Sequence, residues 1–190
     1  MFMHFIKSLN WVDILMLAIL VRIVYISVQT GFVSELFKFL TLVVTVFLCF
    51  HYYSPLALLL FKGTRIPMAV SSVMVFLGLW LLMAFIAKLI RGGLALLITV
   101  QAQSLLDKWG AAVLSINRFF LAGSMVFFIL LLSGSGYLHN AVAASMSHKF
   151  VLPVAVNVYR TLHQKVVAKL FPGSVFNKSV EEELKRISKP

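Results

Sequence analysis

Acidic side chains are nearly absent from this chain. Its 190 residues hold six Asp and Glu, and three of these, Glu181, Glu182 and Glu183, form one run near the C-terminal end. Before that run only Asp13, Glu35 and Asp107 occur. Charged residues of both signs amount to 12% of the chain, 61% is hydrophobic, and the mean hydropathy is +0.99. A water-soluble domain needs more charge than this to cover its surface, so that class is excluded. Cysteine is limited to Cys49, which rules out an intrachain disulfide and suits a small buried hydrophobe. His-Glu-x-x-His, Cys-x-x-Cys, Gly-x-Ser-x-Gly and the phosphate-binding P-loop are all missing. The sequence therefore nominates no catalytic residue, no cofactor and no metal site, and points away from an enzyme.

What the chain does have is long stretches without charge. Phe39 to Phe61, Ile66 to Ala87 and Phe119 to Ser147 run for 23, 22 and 29 residues without Asp, Glu, Lys or Arg. Twenty helical residues cross the ~30 Å hydrocarbon layer of a bilayer. A further apolar stretch, Val12 to Gly31, is interrupted only by Asp13 near its start and by Arg22. An Arg at a span centre costs about 2.5–3.5 kcal/mol on insertion scales, which the surrounding Ile, Leu, Val and Met offset. The segment before it, Met1 to Asn10, has one Lys and no small-residue cleavage site, so the first stretch is expected to stay as an anchor. The fold class is thus all-α, a polytopic membrane protein with about four transmembrane helices, near 12–31, 33–53, 66–87 and 111–132. Ser54-Pro55 is expected to end the second helix, Ser133 to Gly136 reads as the end of the fourth span, and 94–106 is too short to span and reads as interfacial or re-entrant.

The net charge of +11 is uneven, because eight of the 17 Lys and Arg lie from Lys149 onward. With four spans both termini share one side, and the surplus of basic residues there puts both in the cytoplasm by the positive-inside rule. Ala155, Val158, Tyr159, Leu162, Val166 and Leu170 recur at helical spacing, with Arg160, Gln164, Lys165 and Lys169 away from them. That pattern predicts a basic amphipathic C-terminal helix lying on the membrane surface. Anionic lipid is the partner such charge implies. No nucleic acid is expected, since no soluble domain is available to present a groove-reading element.

Charges kept inside a bilayer need a reason. Asn10 and Asp13 fit a helix start, cap and dipole partner together. Glu35 has Lys38 three residues on as a local partner, and Arg22 as an alternative within the spans. Asp107, Ala111, Ser115 and Arg118 share one helix face, whose small residues permit close packing. Asp107 and Arg118 themselves stand ~16 Å apart along the axis, too far to pair. Asp13, Arg22, Gly31, Glu35, Asp107, Ala111, Ser115 and Arg118 are the candidate functional or packing positions.

Asn10-Trp11-Val12-Asp13, then Gly31-Phe32-Val33 and Glu35, then His51-Tyr52-Tyr53, then Asp107 with Arg118, give the chain an order and spacing of motifs. In these it resembles the colicin V production protein (CvpA-like) family of bacterial inner-membrane proteins, over about residues 10 to 132. Thr30 stands where the family commonly has Arg, and Ala111, Ser115 and Phe119 stand where it has Gly. The resemblance implies a membrane domain over 1–150, and 151–190, which lies outside the resemblance, reads from its own pattern as a basic amphipathic tail. It also implies a link to toxin production and the cell envelope, with no known reaction. Two roles follow as expectations. One is a non-enzymatic accessory protein working through self-association or other membrane proteins. The other is a small channel or transporter subunit.

Overall fold

The computed structural model describes residues 10–95, 105–171 and 173–188, and among them every regular element is a helix. Four are long: α1 (Trp11–Thr30), α2 (Phe32–Leu60), α3 (Met68–Ala95) and α4 (Leu105–Leu132). Each is long and apolar enough to cross a membrane. At ~1.5 Å per residue the 29 residues of α2 reach about 43 Å, past the hydrocarbon layer and into the headgroup zone on either side. α5 (Gly136–Ala144) and α6 (His148–Leu162) follow, then a π-helical turn (His163–Val167), α7 (Ala168–Leu170) and α8 (Ser179–Ser188).

α4 is the centre of the bundle. Of its apolar span 44% is buried within the chain, against 22%, 22% and 17% for α1, α2 and α3. It runs parallel to α2, with Gly110 beside Phe32 and Phe128 beside Phe50, and antiparallel to α1, with Ala111 beside Ser27 and Gly123 beside Met16. Around it the outer faces stay apolar: Leu59, Leu81, Leu89 and Val21 are each 60% or more exposed. Such a surface is unmanageable in water and ordinary in lipid.

The core at the α1-start end of the bundle is aromatic. Phe50 meets Phe128 at 4.6 Å between ring centres, and Phe76 edge-on at 5.5 Å, while Tyr53 stands edge-on to both Phe76 and Phe128. Offset and edge-to-face pairs of this kind add to the dispersion gained by burial. Met125, Val46 and Tyr159 fill the remaining space.

α1 and α2 are joined by a single residue. Gly31 adopts φ +80°, ψ 165°, a conformation that L side chains rarely take, and its N–H still reaches Ser27 O at 3.3 Å. The long hairpin therefore turns with no loop. On α4 the close approaches belong to Gly110 and Gly123. A Cβ on Gly110 would meet the Phe32 ring at 2.7 Å, and one on Gly123 would meet Val151 at 2.9 Å.

Three expectations change. Pro55 does not end the second helix, which continues to Leu60. A helical Pro is tolerated inside a membrane where neighbouring elements pack around it, and the tail docks on this stretch of α2, Asn177 Nδ2 donating to Phe50 O at 2.8 Å. The C-terminal helix does not lie on the membrane surface alone: Val151, Leu152, Ala155, Val156 and Tyr159 are buried within the bundle. Its apolar face is covered by protein, and α6 runs across residue 150 without a break. α5 and the helix after it, bent by 106° at their junction, together pass the length and hydropathy test for a broken span or re-entrant loop. Most of the segment 94–106 lies outside the described residues.

Asn10 Nδ2 donates to Ala141 O at 2.6 Å and the hydroxyls of Ser54 and Ser179 lie 3.3 Å apart, so the start of α1 and the tail share one end of the bundle. Replacing Gly31 with Ala forces positive φ with extended ψ on a side-chain-bearing residue, at a cost of about 1–3 kcal/mol. Gly31→Ala should lower the unfolding midpoint in detergent, while Gly136→Ala, with open space around it, should leave it unchanged.

Candidate functional site

The candidate residues separate into two groups at opposite ends of the bundle. At the α1-start end sits Asp13. Its Oδ2 accepts from Asn10 N at 3.3 Å, the local cap expected from the spacing. The same carboxylate also accepts from Met146 N at 3.2 Å, Ser147 N at 3.0 Å and Ser147 Oγ at 2.5 Å. One acid thus serves the start of its own helix and that of α6, whose free N–H groups favour negative charge. Without it the bent α5–α6 junction would leave those donors unmet.

The other group gathers at the Gly31 turn. Glu35, in the first turn of α2, is completely buried. Its Oε1 accepts from Lys38 Nζ at 2.6 Å, Thr30 Oγ1 at 3.1 Å and Arg118 Nη1 at 3.1 Å, and Arg118 Nη1 lies 2.8 Å from Oε2. Arg118 reaches back along α4 to do this, in the direction that helical side chains naturally point. Lys38 Nζ also donates to Thr30 Oγ1 at 2.8 Å. Asp107, in the first turn of α4, accepts from Phe32 N at 2.9 Å and so caps α2 from a neighbouring helix. As the spacing required, Asp107 and Arg118 do not pair; each serves α2 instead.

Ala111 and Ser115 are fully buried on the same face of α4. Ser27 Oγ donates to Ala111 O at 2.7 Å, and Ser115 Oγ donates to its own helix at Ala112 O. This small-residue stripe is a contact within one chain. Arg22 stands apart: it faces outward from α1, exposed, and makes no ion pair among the described residues. It is not the partner of Glu35.

Residues outside the list of candidate positions complete the picture. Arg91, near the end of α3, donates Nε to Ala87 O at 3.2 Å and stands near enough to Lys38 and Arg118 to repel both. At the far end Tyr159 places its hydroxyl 3.2 Å from His51 Nδ1 and accepts from Asn177 N at 3.1 Å. The His163 ring lies tilted against His51 at 5.9 Å between centres, and its Nε2 is 3.3 Å from Ser174 Oγ. This network docks the tail, and Arg160 with Glu181 at 2.9 Å ties α8 to α6. Among the described residues no cluster of three or more His, Cys, Asp or Glu is placed to hold a metal.

Long apolar helices, an apolar outer surface and charges answered inside the bundle define a multi-pass helical membrane protein. The sequence profile described as Colicin V production protein matches residues 12–156. The chain belongs to the colicin V production protein family. The match includes all four spans, both acid groups and most of α6. No match was found among curated proteins or among solved structures.

Removing one member of a buried ion pair strands the other charge, which costs about 3–5 kcal/mol. Glu35→Gln, which strands Arg118, should destabilise the protein on that scale in reversible unfolding, and Arg118→Gln, which leaves Glu35 with Lys38 at 2.6 Å, should cost less. The double variant should cost at least about 1 kcal/mol less than the sum, because the Arg118 charge that Glu35→Gln strands is then absent. Additive losses would show that the pair is not energetically coupled.

Proposed function

We propose that this protein is a non-enzymatic accessory component of the bacterial inner membrane that supports toxin production or export, or envelope maintenance. It works as a helical platform for lipids, further copies or other membrane proteins. The observation that carries this reading is the internal use of the spans' acids. Asp13, Glu35 and Asp107 each answer a helix start or a cation of the same chain, and the aromatic packing of Phe50, Phe76 and Phe128 fills the bundle between the two groups. Nothing in that arrangement offers ions a polar path through one copy. With α1's start and the tail at one end, the surplus of basic residues from Lys149 onward favours a cytoplasmic side for that end in this reading.

A second reading, a channel or transporter subunit, draws on Arg22. It lies eleven residues into α1, about 16 Å along the axis, and is exposed at a depth where a lone cation is costly. Several copies arranged around that face would line a basic path.

Ion flux in reconstituted vesicles separates the two. Under an ion gradient, and under osmotic tension, the wild-type protein should conduct no more than protein-free vesicles, and Arg22→Leu should behave the same. Conductance that Arg22→Leu removes would replace the platform reading with the channel reading.

A further inference from the structure

Beside the Glu35 group a cleft of about 290 Å³ opens between α2, α3 and α4. Its charged lining is Lys38, Arg91 and Arg118. The one carboxylate nearby, Glu35, is turned to Lys38 and Arg118 and lies outside the lining, which leaves the site two positive charges in excess. Many donors also remain unspent among the described residues. Arg91 uses only Nε, on the carbonyl of its own helix, and Arg118 uses only Nη1. Each guanidinium carries five N–H groups in a fixed fork suited to phosphate oxygens. Cations held this close repel each other in a low dielectric, so the site is incomplete without an anion.

The rest of the lining is of another kind. Leu42, Trp80, Met83 and Ala84 give the cleft an apolar wall, and Ala84 is exposed on the outside of the bundle. A free inorganic anion would have no use for that wall. An amphiphile would place its charged group on the three cations and its chain along the apolar side.

We propose that the cleft between α2, α3 and α4 binds a phosphate-type anion on Lys38, Arg91 and Arg118, as the headgroup of an anionic phospholipid whose chain lies against Trp80 and Ala84. The site is independent of whether the protein serves as platform or channel.

The test uses the full chain in a neutral detergent, with thermal stability and native mass spectrometry as readouts. Phosphatidylglycerol should raise the unfolding midpoint and remain bound, whereas phosphatidylcholine should do neither. Arg91→Gln removes a cation that takes no part in holding Glu35, and should weaken phosphatidylglycerol binding about tenfold, the loss of ~1.4 kcal/mol. Ala84→Trp, which fills the apolar side and leaves every charge in place, should also reduce it. Inorganic phosphate forms a separate arm. Stabilisation by phosphate that Arg91→Gln abolishes and Ala84→Trp spares keeps the anion site and assigns it to a free anion. Equal binding of both lipids, or phosphatidylglycerol binding indifferent to both substitutions, would overturn the proposal.

Discussion

A carboxylate inside a bilayer has no water to turn to, and the arrangement of this bundle follows from how few such groups it carries and how each is met. Glu35 is the extreme case. It is wholly buried, and its charge is balanced by Lys38 one turn along its own helix and by Arg118 from the central helix. Those contacts fix the rotation of α2 against α4, because Arg118 can reach Glu35 only when the small face of α4 is turned inward. The same rotation puts Ala111 and Ser115 against α1 and lets Ser27 reach the Ala111 carbonyl.

The other two acids obey the same constraint by a different route. Helix starts present N–H groups that lipid cannot satisfy, and in this chain Asp107 meets one on α2 while Asp13 meets those at α6. Each therefore joins two elements at a helix end, where the dipole also favours negative charge. The apolar packing of Phe50, Phe76 and Phe128 between them needs no charge at all.

Much of this was legible in the sequence, and the boundary has a physical cause. The spans followed from charge-free runs, and the Asp13 cap from its three-residue distance to Asn10, because both signals are local. The pairing of Glu35 with Lys38 was legible for the same reason. Arg118 lies 83 positions from Glu35, and Asp107 serves a backbone N–H, a group that every residue but proline carries and that leaves no mark in the sequence. The tail shows a further limit. An apolar stripe opposite Lys and Arg looks the same whether lipid or protein covers it, and only the meeting of Tyr159 with His51 and Asn177 decides in favour of protein. Pro55 misled because the bias it puts on the residue before it is local, and the packing of Tyr53 and Ala57 on either side of it overrides that bias.

The two partners of Glu35 also differ in when they exist. A ribosome adds about 5–20 residues per second, so Arg118 emerges roughly 4 to 17 s after Glu35, given the 83 positions between them. For that interval the nascent hairpin of α1 and α2 must hold a carboxylate at the membrane with what is already made. Lys38 and Thr30 are the groups at hand, one three residues after Glu35 and the other five before. The local pair is then the escort that lets the hairpin enter the membrane, and the long-range pair is the lock that closes once the fourth span arrives.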